Sequence, residues 1–197
     1  MFASETYTPL AQQLKEQTLV EHLALEDLIV PQIKAVHSIN DYAQLLHLFY
    51  GFNKPVEEAI QKIIHPAILP DITKRKKAHL LLEDLQVVTD TYNNTLCSDI
   101  PSITTLEQAF GALYVLEGST LGGKSITQLL LKTSMGLQAN QLRFFNAYGK
   151  ETGPMWLSFL AKLNTFTLES QQAVIIETAN ETFIKFKQWI QLQVQQR

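Results

Sequence analysis

His22 and Glu26 stand four residues apart, about 6 Å of rise along a helix, in a stretch where Leu10, Leu14, Thr18, His22, Leu25 and Ile29 recur at helical spacing. A carboxylate so placed can accept a hydrogen bond from the imidazole Nδ1, fix the tautomer and leave Nε2 free to bind a metal. Much further along, Leu113-Tyr114-Val115-Leu116-Glu117-Gly118-Ser119-Thr120-Leu121-Gly122-Gly123 puts three glycines into six positions of an apolar, helical segment. Each glycine costs a helix about 1 kcal/mol against alanine. Such a run is kept where something flat or bulky lies close against the backbone.

Both segments have a plainer reading. A lone histidine beside Leu25 and Ile29 is more often a core residue with its nitrogens satisfied, and a glutamate four residues on is an ordinary helix pair. Glycines also permit close helix–helix packing. The ligand reading is that a single neutral imidazole with no second protein ligand suits a haem iron. A helix kinked at Gly118, Gly122 and Gly123 would then let its backbone approach a planar macrocycle, leaving room above the iron for a diatomic ligand and water. Other candidates carry less. His37, His47, His65 and His79 share no ligand spacing, and Glu57-Glu58 and Glu83-Asp84 read as solvated helix faces. Gly118 to Gly123 follows no strand and lacks the spacing of a phosphate loop. Cys97 is the lone cysteine, unable to form an internal disulfide, and reads as structural.

The elements that must position these residues read as helices throughout, an all-α bundle in a single domain over residues 1–197. Thr8-Pro9 looks like a helix start, and Pro31 a stop or a reset. A helix opens near Ser38 to Asp41, kinks or breaks at Pro55 and resumes through Ile64. Another spans about Thr73 to Thr89. Thr104 and Glu107 have the spacing of a capping box, opening the glycine-bearing helix, which Gly136 would end. A short helix from Asn140, one from Pro154 and a last one from about Leu168 to Val194 complete the chain. Hydrophobic residues make up 46% of the sequence and the net charge is −3 with a pI near 5.9. That balance predicts a globular core and no nucleic-acid partner. The densest basic run, Lys74-Arg75-Lys76-Lys77, reads as a solvated helix start. No basic leader with an apolar stretch and no long apolar run is present, so neither a signal peptide nor a membrane span is expected, and a cytoplasmic protein is.

Taken together, these segments resemble the haem oxygenase family, specifically its bacterial, biliverdin-producing branch. The proximal helix of that family is similar to Leu14-Lys15-Glu16-Gln17-Thr18-Leu19-Val20-Glu21-His22 followed by Glu26. Its distal helix resembles Tyr114 to Gly123. A third block is Arg143-Phe144-Phe145-Asn146-Ala147-Tyr148-Gly149 with Thr152-Gly153-Pro154-Met155-Trp156, and a weaker fourth is Ala179-Asn180-Glu181-Thr182-Phe183 with Trp189.

The resemblance implies a helical fold with haem, both substrate and cofactor, between the first helix and the kinked glycine helix. It also implies a reaction in which O2 and electrons from a redox partner, a ferredoxin or flavoprotein, open haem to biliverdin, CO and ferrous iron. His22 is then the iron ligand and Glu26 its orienting partner. Lys15 pairs with a propionate, Tyr114 and Gly123 line the site, and Gly118, Ser119 and Gly122 face the bound oxygen. Ser119 stands where many relatives have an aspartate, and Leu157 follows Trp156 where bacterial relatives often have a basic residue; Arg143 or Lys124 would compensate for the lost propionate contact. Two alternatives stay open: a non-catalytic haem-binding protein on the same scaffold, and a thiaminase-like helical enzyme, which would need a nucleophile.

Overall fold

The computed structural model describes residues 9–90, 95–133 and 136–195. The described residues form eight α-helices: α1 Leu10–Gln17, α2 Leu19–Lys34, α3 Ile39–Gln61, α4 Ala78–Val88, α5 Leu106–Ser119, α6 Gly123–Leu131, α7 Thr152–Leu163 and α8 Glu169–Gln195. There is no strand among the described residues. The expected cap Thr8 lies outside them; Pro9 is the residue that precedes α1.

The first helix is two helices, broken at Thr18, whose buried hydroxyl donates back to the Leu14 carbonyl at 2.7 Å. Such back-bonding bends helices. Pro31 does not stop α2 but sits in its last turns, and Pro55 is likewise accommodated within α3. Ser38 and Asp41 form a full capping box at the start of α3. The box opening α5 lies one residue later than the Thr104–Glu107 spacing predicts: Thr105 pairs with Gln108, and Thr104 also uses the Gln108 amide oxygen. The expected helix over Thr73–Thr89 divides into a 3₁₀ turn, Ile72–Arg75, and α4.

Helix α8 is the central strut, packed along α5 and α2. Its approach to α5 depends on Gly111, where a Cβ would run into the Ile175 carbonyl. The core between α3, α8 and the loop after α6 is aromatic: Phe52 stacks on Phe186 at 4.4 Å, and Phe49 meets Phe144, Phe145 and Phe186. Offset and edge-on ring pairs of this kind contribute beyond their buried area. Trp189 on α8 donates its indole N–H to the Leu48 carbonyl at 2.9 Å, and Tyr42 its hydroxyl to the Gln141 carbonyl at 2.8 Å.

Candidate functional site

The glycine segment breaks the helix as its composition predicts. Helix α5 ends at Ser119, Thr120–Gly122 form a 3₁₀ turn, and α6 restarts at Gly123. A 3₁₀ insertion between two helical stretches often marks a functional site or a strained sequence. The three glycines are required for different reasons. Gly123 is buried, and a Cβ there would overlap the Phe145 carbonyl oxygen, so packing alone demands it. Gly118 would meet only the Trp156 ring, at 3.8 Å, and Gly122 would meet nothing within 4 Å. Gly122 has helical backbone angles, φ −78° and ψ −16°, so neither conformation nor protein packing explains it. Gly118 and Gly122 are four apart and share a face.

On α2, His22 and Glu26 have side chains 47% and 54% exposed, with Nε2 3.4 Å from the Glu26 Oε1. The nitrogen facing the carboxylate is therefore Nε2 rather than the expected Nδ1. One face of the imidazole lies against Phe183 of α8, ring centroids 5.6 Å apart. His22 is thus not a buried core histidine. Around it Leu19, Val20 and Leu23 are exposed, and so are Leu121 and Leu129 on the glycine side. Helices α2 and α6 meet, and α7 lies against the 3₁₀ turn. Tyr114 links the two sides: its phenol packs on Trp156 at 5.6 Å and hydrogen-bonds Thr18, and burial pushes its pKa up.

The remaining predicted residues are more dispersed. Ser119 is exposed and donates to the Leu116 carbonyl at 2.8 Å. Lys15 is exposed in the last turn of α1. Arg143 faces Glu83 of α4 at 3.3 Å, on the loop behind the glycine turn.

Behind that turn lies a cluster that the reading of composition missed. Arg75 and Lys77 are not solvated: with Glu117 they form a buried ionic group, both cations bonded to its carboxylate. Tyr148 donates to Glu117 Oε1 at 2.8 Å and accepts from Lys77 Nζ at 3.1 Å. Asp71 holds the other edge of the Arg75 guanidinium, and Phe159 lies beneath it at 5.5 Å. Burial lowers the Lys77 pKa against the pull of Glu117, and burial with Glu117 pushes the Tyr148 phenol far above its ordinary value. Asp84 and Glu57, expected on solvated faces, also turn inward. Asp84 is fully buried, accepts the Arg143 and Phe144 backbone N–H groups at 3.0 Å and titrates high because of burial. Glu57 accepts the N–H groups of Lys77 and Ala78, anchoring the start of α4. A lone carboxylate between Leu116 and Gly118 in an apolar run was the available signal, since a buried charge needs a partner.

The chain matches the family model described as Heme oxygenase over residues 8–192. It belongs to the haem oxygenase family. A haem oxygenase of Xanthomonas campestris is 30% identical over 123 residues, 62% of this chain and 71% of that protein. The fold is similar to the NO- and CO-bound haem oxygenase of Neisseria meningitidis, TM-score 0.74 at 21% identity, covering 95% of this chain and 92% of that one. It is equally similar to the haem oxygenase of Leptospira interrogans, TM-score 0.74 at 20% identity over 93% and 98% of the two chains. The haem-bound enzyme of the cyanobacterium Synechocystis gives 0.64 at 16% identity, with 94% and 92% covered. No helix among the described residues is long and apolar enough to cross a membrane.

Proposed function

We propose that this chain binds haem between α2 and the glycine turn and opens it oxidatively to biliverdin, CO and ferrous iron, as one domain working in the cytoplasm. The observation that carries the reading is Gly122: a glycine with helical angles and open space where a side chain would stand. Its cost of about 1 kcal/mol in a helix is accounted for by a flat ligand that a Cβ would push away. The exposed imidazole of His22, with exposed Leu19 one turn before it on α2, fits the other face of such a ligand.

Bound haem supplies the redox-active iron and is itself the ring that is opened, with O2 and electrons from a ferredoxin or flavoprotein. The chain's part is orientation. His22 would bind the iron, with Glu26, whose carboxylate lies 3.4 Å from Nε2, orienting the imidazole. Lys15 offers a propionate a cation at the rim, and exposed Lys124 is a further cation of the glycine side; Arg143 would have to leave Glu83, behind the turn, to serve the same way. Tyr114 closes the site against Trp156 and Thr18. Gly118 and Gly122 keep side chains out of the oxygen-facing space, and Ser119, its proton committed to the Leu116 carbonyl, presents acceptor lone pairs to water.

That commitment of Ser119, in place of a carboxylate, is what favours a second reading: a haem-binding protein without turnover. A thiaminase-like enzyme is disfavoured because Cys97 is buried, its thiol pKa is raised by burial, and its Sγ faces the Asp99 carbonyl at 3.5 Å; a reactive thiol needs the opposite environment. Ferric haem added to purified protein, followed by ascorbate or a ferredoxin system in air with catalase present, separates these readings. A Soret band that decays into a biliverdin spectrum is the expected outcome. A stable Soret band without bile pigment selects the binding protein, and no haem binding removes both.

A further inference from the structure

We propose that the buried group Arg75–Glu117–Lys77, together with half-buried Tyr148, is a brace that sets the position of the glycine turn, so that Tyr148 and Lys77 are positioning residues for the oxygen-facing backbone. The inference rests on the reading of that turn as the haem-facing surface. Glu117 immediately precedes Gly118 and is 1% exposed, while Ser119 two residues on is exposed. Its side chain therefore points away from the open face, and both carboxylate oxygens are engaged there: Oε2 by Arg75, Oε1 by Lys77 and Tyr148.

Arg75 extends the hold to the next element. Its guanidinium donates twice to the Met155 carbonyl, at 3.2 Å, and the following residue, Trp156, is the ring that stands 3.8 Å from the Cβ position of Gly118. At the other end of the turn, Gly123 lies flush on the Phe145 carbonyl. Phe145 and Tyr148 belong to one loop, whose backbone is fixed by Asp84 through the N–H groups of Arg143 and Phe144. The turn is thus held from behind at both ends.

A break with three glycines has little stiffness of its own, and a rate that depends on geometry is sensitive to shifts of the order of 1 Å. An apolar cluster would stabilise the fold as well as a buried ionic one, or better. What the ionic group adds is direction, because each oxygen of Glu117 has a fixed partner.

Two variants test this: Tyr148→Phe, which removes only the hydroxyl, and the pair Glu117→Gln/Lys77→Met, which removes one charge of each sign. In haem-free protein, amide hydrogen exchange over residues 118–124 should rise by about threefold to tenfold for Tyr148→Phe and by more for the pair, with α3 and α8 unchanged. With haem, turnover should fall by roughly tenfold or more while haem affinity stays within about threefold. Exchange that is unchanged at the turn, or raised everywhere alike, would overturn the brace, as would faster local exchange with turnover intact. Should the parent protein bind no haem, the oxygenase reading fails, and the exchange pattern alone still decides the brace.

Discussion

The two faces of the candidate site are built in opposite ways. On the α2 side, His22 and Glu26 are about half exposed, and the neighbouring leucines and Val20 are open to solvent. On the α5–α6 side, the exposed glycine turn rests on a buried layer of Arg75, Lys77 and Glu117 joined by half-buried Tyr148, with Asp84 behind its loop. One face is left for a ligand to complete; the other is completed by the protein. This teaches where precision is needed. A coordinate bond can draw an imidazole into register, whereas backbone that must stay clear of a ligand has no bond to guide it and has to be held from behind.

Substitutions can break this contrast, and the largest effect is expected for Glu117→Ala. It leaves buried Lys77 without its carboxylate and Arg75 with Asp71 alone, a change that costs about 3–5 kcal/mol, readable as a shift of the urea midpoint at constant slope. Gly123→Ala comes next. The new Cβ meets the Phe145 carbonyl, and overpacking of this kind costs about 1–3 kcal/mol. Gly122→Ala sharpens the contrast because its sign differs. With open space and helical angles at that position, the haem-free protein should gain up to ~1 kcal/mol, while haem binding or turnover weakens. A loss of stability there would mean that protein packing, not a ligand, requires the glycine.

The smallest effect calibrates the others at a site remote from both faces. Asp41 closes the capping box of α3, and its pKa is lowered by the His37 N–H first and the Ser38 hydroxyl next. A carboxylate with a depressed folded pKa contributes stability above its ordinary value of 3.8, and that contribution is lost as the pH falls through the lower folded value. Asp41→Asn should therefore be slightly less stable than the parent at neutral pH, by under ~1 kcal/mol, with the gap closing as the pH falls below 3.8 and through the lower folded value.

Much of the fold was legible because it is local. The helix start near Ser38 and Asp41, the helix broken by Gly118, Gly122 and Gly123, and the side-by-side placement of His22 and Glu26 all follow from spacing along one helix. What escaped is tertiary. In Lys74-Arg75-Lys76-Lys77 the second and fourth cations turn inward because a 3₁₀ turn ends there, and the first is exposed. No periodicity of the run announces this. Their partner Glu117 lies 42 residues from Arg75. Asp84 looked like half of an acidic surface pair with Glu83, yet it serves backbone N–H groups 59 and 60 residues away. Single residues that satisfy distant main chain carry no pattern of their own.

The central claim, that haem is held from His22 opposite the glycine turn, is met most directly by titrating ferric haem into the parent protein and into His22→Ala, with and without free imidazole. The account predicts saturable one-to-one binding with a sharp Soret band for the parent, loss of that spectrum in His22→Ala, and its recovery when imidazole fills the vacated position. Identical spectra and affinities for the two proteins would contradict it.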